Sequence, residues 1–163
     1  GARIWNAHVA TGTPLAAYAA VADALAVCLS KGLGAPVGSL VLGTREAIDE
    51  ARVWRMRMGG GMRQVGVLAA AGLHALEHHV ERLAEDHEHA GLLADACGVD
   101  PASVDSNIGV VDVPDAPAVV AAAREEGLLV SAVGPRALRL VTHLDVSRSQ
   151  AETAASLLAK LLS

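Results

Sequence analysis

Leu25-Ala26-Val27-Cys28-Leu29-Ser30-Lys31-Gly32-Leu33-Gly34-Ala35-Pro36-Val37-Gly38-Ser39-Leu40-Val41-Leu42-Gly43 is two short apolar runs joined by a glycine-rich loop. Leu25 to Leu29 reads as a buried strand, and Gly38 to Gly43 as the next. About eight residues join them, whereas a parallel crossover needs a dozen or more, so the two run antiparallel if they are neighbours. Lys31 is one of only two lysines in the chain. It stands at the C-terminal end of the first run. A lysine that leaves a buried strand for a tight loop is partly desolvated, which favours the neutral amine. That is the state needed for a Schiff base with a carbonyl or with pyridoxal phosphate. Lys160, near the end of a C-terminal helix, reads as surface charge.

Upstream of the loop, Pro14 to Ala22 reads as a short helix with Thr13 as N-cap and Pro14 at its first position. Downstream, Thr44 caps a helix over 45–58, with Glu46 in its first turn. Gly59-Gly60-Gly61 ends it. The pattern then predicts a long helix from Met62 towards Cys97. Its first part is apolar on nearly all sides and therefore buried, and its later part is charged and amphipathic. Gly91 marks either a break or a close contact. Beyond Gly98 the order is strand 107–113, helix 117–126, strand 128–133, strand 137–142, and a Ser147-capped helix to Leu162. This β-α-β-β-α order describes a compact α/β unit.

A length of 163 residues suits one domain or part of something larger. With 52% apolar residues a core is within reach, and one Tyr, two Trp and no Phe make it alanine-rich. The net charge of −5 is spread without a basic run, so no nucleic-acid partner is expected. Ala7 to Leu29 is apolar, but His8, Pro14 and Asp23 interrupt it and no span of about 20 apolar residues exists. No membrane segment or signal peptide is read. Cys28 and Cys97 read as reduced core thiols, which suits the cytoplasm.

Four features bear on chemistry. Gly32-x-Gly34-x-x-x-Gly38 has neither dinucleotide spacing nor a following helix, and reads as a loop passing close to a ligand or a neighbouring chain. His74-Ala75-Leu76-Glu77-His78 fits H-x-x-E-H, the pattern of a zinc hydrolase. His74 and His78 share a helix face, yet no third ligand is evident, and a solvated polar face is the preferred reading; no metal is expected. Arg52, Arg55 and Arg57 crowd one helix end, whereas Arg63, opening a buried helix behind a glycine turn, reads either as solvated charge or as an anion clamp. Arg139 alternates with Leu138 and Leu140. It is either the exposed face of an edge strand or a carboxylate binder, and Arg3 carries the same ambiguity.

Together these segments resemble the threonine aldolase family, among the β-eliminating lyases of the fold type I pyridoxal phosphate enzymes. Gly1-Ala2-Arg3-Ile4-Trp5-Asn6-Ala7 resembles the family's Asp-Gly-Ala-Arg segment. Val27 to Ser39 is similar to its lysine signature. Gly59-Gly60-Gly61-Met62-Arg63-Gln64 and Leu138-Arg139-Leu140-Val141-Thr142-His143 continue the match in order.

The resemblance implies an α/β, transferase-like type I fold, with residues 1–75 as the tail of the large cofactor-binding domain. Residues 76–163 would be a linking helix and the small C-terminal domain. It implies pyridoxal 5'-phosphate as cofactor, Lys31 as its Schiff-base lysine, Arg3 and Arg139 on the substrate carboxylate, and Arg63 on the cofactor phosphate in a neighbouring subunit. The reaction implied is cleavage of threonine or allo-threonine to glycine and an aldehyde, within amino-acid metabolism and glycine biosynthesis. For the base at the β-hydroxyl the residues leave three candidates open: His143, a group from the half not matched, and water. The partners implied are an amino-acid substrate, further copies in a dimer or tetramer, and an N-terminal half. Family members are about twice this length. The half not matched would carry the phosphate cup, a stacking histidine, and an Asp that directly precedes Gly1. Alternatives are another fold type I enzyme (a transaminase or a different β-eliminating lyase), an inactive truncated subunit, and the zinc hydrolase.

Overall fold

The computed structural model describes residues 1–163, which form two compact units, Gly1–Arg82 and Leu83–Ser163. None of its helices is long and apolar enough to cross a membrane.

The first unit opens with a helix that the sequence pattern did not announce, α1 (Arg3–Thr11). Trp5 is its buried residue, and the indole Nε1 donates to the Cys28 carbonyl at 2.8 Å. The Gly1 nitrogen donates to Ala26 O at 2.6 Å. The Trp5 bond thus ties α1 to the end of β1 (Ala24–Cys28). Gly12, with φ of 67°, ends α1 by donating to His8 O. Thr13 is not the cap of the next helix. Its hydroxyl accepts from Thr11 Oγ1 and its carbonyl meets the His8 ring, so it is already spent on the end of α1. The chain continues into the short α2 (Leu15–Ala19), capped at Pro14 without a side-chain bond.

Strand β1 pairs with β2 (Ser39–Gly43) antiparallel, in register from Ala24↔Gly43 to Cys28↔Ser39. The short link therefore set the direction as expected. The burial differs from expectation: Val27 is the buried residue of β1, and every residue of β2 is exposed. The helix α3 (Arg45–Arg57) begins where its cap predicts, with the Thr44 side chain accepting from Ala47 N at 3.3 Å.

The long helix read from Met62 to Cys97 is two helices. α4 (Gly66–His78) stops at a turn over 79–82, where His79 turns its ring away to bond the Leu33 carbonyl. α4 is also not buried along its first part. Gly72 and Ala75 are its buried residues, while Val67 and Leu73 are 76% and 60% exposed. A two-stranded sheet presents too small a face to cover a helix that is apolar all round. Gly72 marks the contact, since a Cβ there would lie 3.1 Å from Leu29 Cδ1.

The second unit contains α5 (Leu83–Ala96), a 3-10 turn at Pro101–Ser103, β3 (Ile108–Asp112), α6 (Ala116–Glu125), β4 (Ser131–Gly134), β5 (Ala137–Val141) and α7 (Arg148–Leu162). The sheet order is β3-β5-β4, antiparallel throughout. Val111, Leu138 and Leu140 point inward to a core shared with Leu93, Ala116, Ala155 and Leu158 of the helices. Alternation sends Val110, Arg139 and Val141 to the opposite, exposed face.

Helix α5 runs through Gly91, whose missing Cβ would meet Pro101 at an ordinary 3.6 Å, so the glycine marks a contact rather than a break. β4 begins at Ser131 rather than Leu128 because α6 claims the preceding residues. Gly127 at φ of 82° donates to Arg124 O, and Leu128 N donates to Ala123 O, which closes a Schellman motif.

At α7, Ser147 Oγ accepts from Gln150 N and Gln150 Oε1 accepts from Ser147 N, a complete capping box. Ser147→Ala in the whole chain should cost about 1 kcal/mol of unfolding free energy. Denaturant titration followed by circular dichroism checks this. A change under about 0.3 kcal/mol would show that the box is not what holds the start of α7.

Candidate active site

The site is built on the end of β1. Leu29 N donates to Gly38 O at 3.0 Å, which extends the hairpin one step past the strand. Inside it, Ala35 N donates to Leu29 O at 3.0 Å and Gly34 N to Lys31 O at 2.8 Å. Gly34 at φ of 71° and Gly38 at φ of 134° take conformations that side chains resist. Leu29, Leu33 and Ala35 are buried. Three inward apolar residues leave Lys31 facing out, and it is exposed. The desolvation read from the sequence is therefore absent: the strand feeding the loop is half-open, and no part of this chain covers the amine.

Cys28 is not the inert core thiol that its apolar neighbours suggested. Its Sγ lies 3.3 Å from Ser30 Oγ. Hydrogen bonding from the Ser30 side chain, then from its backbone, holds the thiol below its ordinary range; the Lys31 charge and Ser39 add to this, and burial opposes it. Cys97 behaves in the opposite way, since burial pushes its thiol up. Both are free.

Arg3 stands in the first turn of α1, exposed, on a helix whose other face is fastened to β1. Arg63 lies in the turn before α4 and is exposed. Gln64 beside it has φ of 52°, and Gly60 is required because a Cβ would stand 2.8 Å from Arg55 Cγ and 3.1 Å from Arg55 O. The lysine loop meets α4 at Gly72 and reaches past its far end to His79. Arg139 belongs to the second unit and sits on the central strand β5, not on an edge. It lies between Val110 of β3 and Ser131 of β4 and points to the exposed face.

The end of that strand is pinned. Buried Thr142 donates from Oγ1 to Asp86 O at 2.5 Å, and its carbonyl accepts from Asn107 Nδ2 at 2.7 Å. His143, next along, is exposed. Its Nδ1 accepts from Asp145 N at 3.3 Å and lies 3.5 Å from the Asp145 carboxylate. Both contacts cannot hold together: the amide bond needs a lone pair on Nδ1, and the ion pair needs a proton there.

His74 and His78 do share a face, with ring centroids 4.5 Å apart, and His79 meets His74 edge-on at 5.3 Å. His79 Nδ1 is committed to Leu33 O, and His78 Nε2 lies 3.9 Å from Glu77. No set of three His, Cys, Asp or Glu side chains is arranged to hold a metal ion. Two residues of consequence were missed by the sequence reading. Trp5 had a signal, as one of only two tryptophans; His79 had none beyond its place in a histidine-rich stretch.

Comparison with known proteins agrees with the motif order. Residues 1–116 match the beta-eliminating lyase family. The low specificity L-threonine aldolase of Escherichia coli K12 is 47% identical over 161 residues, covering 95% of this chain and 48% of that protein. A probable low-specificity L-threonine aldolase 2 of Arabidopsis thaliana is 40% identical, covering 99% and 48% respectively. The chain thus spans about half the length of the curated relatives it matches. Among solved structures, a Listeria monocytogenes protein described as an L-allo-threonine aldolase superposes with a TM-score of 0.77 at 19% identity, over 99% of this chain and 51% of that one. The ornithine aminotransferase of Toxoplasma gondii superposes at 0.59 and 18% identity, over 95% and 40%. The fold is the α/β fold type I of pyridoxal phosphate enzymes.

The two thiols should separate in a rate experiment. Cys28 should alkylate with iodoacetamide several-fold faster than Cys97 near pH 7.5, and its rate profile should lie at lower pH, because a lowered pKa puts more of it in the thiolate form there. Peptide mass spectrometry at timed quenches checks this, and equal rates would contradict the environment described for Cys28.

Proposed function

The chain belongs to the beta-eliminating lyase family, and we propose that it supplies the lysine, the carboxylate-binding arginine forks and the small domain of a threonine-cleaving aldolase. The observation that carries this reading is an exposed lysine at a strand end, on a loop whose apolar anchors Leu29, Leu33 and Ala35 are tucked inward, in a chain 47% identical to a threonine aldolase. The fold alone does not choose, since an aminotransferase shares it.

The residues present fit pyridoxal 5'-phosphate. Lys31 offers an accessible amine, and the adjoining backbone at Gly38 is bare, with nothing within 4 Å of where a Cβ would stand. Arg63, exposed in the turn before α4, offers a guanidinium suited to the phosphate, and by the family resemblance we assign it to the cofactor of a neighbouring copy. When bound, the cofactor supplies an electron sink for the charge left at Cα as the Cα–Cβ bond breaks. Lys31 Nζ would hold the cofactor, and as an exposed amine it is also able to carry a proton. Arg3 and Arg139 are assigned to the substrate carboxylate, where each would offer a planar fork that orients it. His143, with an exposed ring beyond pinned Thr142, is a candidate for the β-hydroxyl proton.

We read residues 1–75 as the tail of the large domain and 76–163 as the linking helix with the small domain. The activity is that of a complete assembly, with polypeptide equivalent to the rest of the relatives' length present. Exposed Trp54, Met58, Met62, Val65 and Val67 suit burial between copies in a dimer or tetramer. Two unpaired cysteines favour the cytoplasm, where the reaction would serve glycine formation.

Borohydride treatment of the complete, cofactor-loaded assembly should fix pyridoxyl label on Lys31, read by peptide mass spectrometry; label on Lys160, or none, would defeat the assignment. Arg139→Lys keeps the charge and loses the fork, so kcat/KM for threonine should fall about tenfold or more with cofactor occupancy unchanged. Arg63→Ala should do the reverse, weakening cofactor retention with a smaller effect at saturating cofactor. Loss of cofactor in Arg139→Lys, with turnover of the remaining loaded enzyme intact, would show the two arginine roles to be wrong.

A further inference from the structure

The peptide between Leu33 and Gly34 is held from both sides. Its N–H, at Gly34, donates to Lys31 O at 2.8 Å and closes the turn that carries the lysine. Its carbonyl, at Leu33, accepts from His79 Nδ1 at 2.6 Å, across 46 residues of sequence. A carbonyl only accepts, so the proton must be on Nδ1. The His79 backbone is itself fixed, because its N–H donates to Ala75 O at 2.9 Å at the end of α4. The Leu33 side chain is 1% exposed and cannot swing to follow a rotating peptide. If that peptide rotated, Leu33 O would leave the imidazole and Gly34 N would leave Lys31 O together. Glycine at 34 makes such a rotation sterically open, so something other than sterics must prevent it.

We propose that His79 is a positioning residue for Lys31: from the end of α4 it locks the Leu33–Gly34 peptide, and through it the Lys31–Gly34 turn. The inference rests on the reading of Lys31 as the cofactor-bearing lysine. An imidazolium keeps the Nδ1 proton, so the lock survives protonation. Asn carries its amide nitrogen the same number of bonds from Cα as Nδ1 and can replace it; Leu fills similar space and cannot donate.

The test compares His79→Leu and His79→Asn in the complete assembly. Amide hydrogen exchange of the peptide spanning residues 29–38, measured without cofactor, should speed about tenfold in His79→Leu and return to within about twofold in His79→Asn. In the loaded enzyme, kcat for threonine should fall about tenfold in His79→Leu with KM within about twofold, and Asn should restore it. Unchanged exchange in His79→Leu, or failure of Asn to rescue a folded protein, overturns the lock. Should His79→Leu not fold, nitrogen NMR of the unaltered protein decides: a proton on Nδ1 supports the proposal, and one confined to Nε2 overturns it. Borohydride label on a lysine other than Lys31 would instead overturn the underlying reading, whatever the exchange data show for the loop.

Discussion

Leu33 is almost completely buried, Leu29 and Ala35 nearly so, and their burial decides which way Lys31 faces. A loop of this length, with positive φ at Gly34 and Gly38, has many closed forms of similar local energy. Three apolar anchors on one side remove most of them. Fully burying a leucine side chain is worth about 1.5–3 kcal/mol relative to exposure, more than a typical single hydrogen bond contributes. The hydrogen bonds then select among the forms that remain: Gly34 to Lys31, Ala35 to Leu29, and the His79 ring to Leu33. The outward lysine is thus a consequence of what is hidden, and the polar contacts refine its position.

The second unit repeats this logic on a sheet. Leu138 and Leu140 enter the core, and a strand cannot turn two alternate residues inward without turning the residue between them outward. Arg139 therefore projects from the middle of β5 with its backbone held on both edges, by β3 and by β4. Thr142 then buries its hydroxyl against the Asp86 carbonyl, which stops the strand from fraying just where the His143 segment begins. A guanidinium on a central strand has a better-fixed origin than one on a loop, which suits recognition of a planar carboxylate.

The two units differ in how far they satisfy themselves. Leu83–Ser163 encloses a continuous core between three strands and three helices. In Gly1–Arg82 the sheet has two strands, β2 is exposed along its length, and Met58, Met62, Val67 and Leu73 stand in solvent. A two-stranded sheet is marginal on its own, and it leaves these apolar side chains without cover from this unit. The strand that leads to Lys31 is held in this unit by its ladder with β2, and the Trp5 bond from α1 to the Cys28 carbonyl adds a tie at its end.

Much of this molecule was legible in its sequence because much of it is local. Thr44 and Ser147 start α3 and α7 because a side-chain oxygen reaches a backbone N–H three residues on, and nothing distant enters. The direction of β1 against β2 came from the reach of a short link, and the outward Arg139 from alternation along a strand. The order of four motifs identified the family. Other features depended on partners far away along the chain. α1 lies beside β1 because Trp5 finds the Cys28 carbonyl, and the predicted long helix breaks where His79 finds Leu33. β4 starts late because the end of α6 takes Leu128 first. The exposure of α4, β2 and Lys31 was likewise undecidable from composition, since burial is a property of what lies opposite and not of the residue itself. Sequence thus determined the short-range hydrogen bonds, the strand alternation and the motif order. Only the tertiary structure decided which surfaces are covered and which distant atoms meet, because those choices are made by packing between segments that local chemistry does not connect.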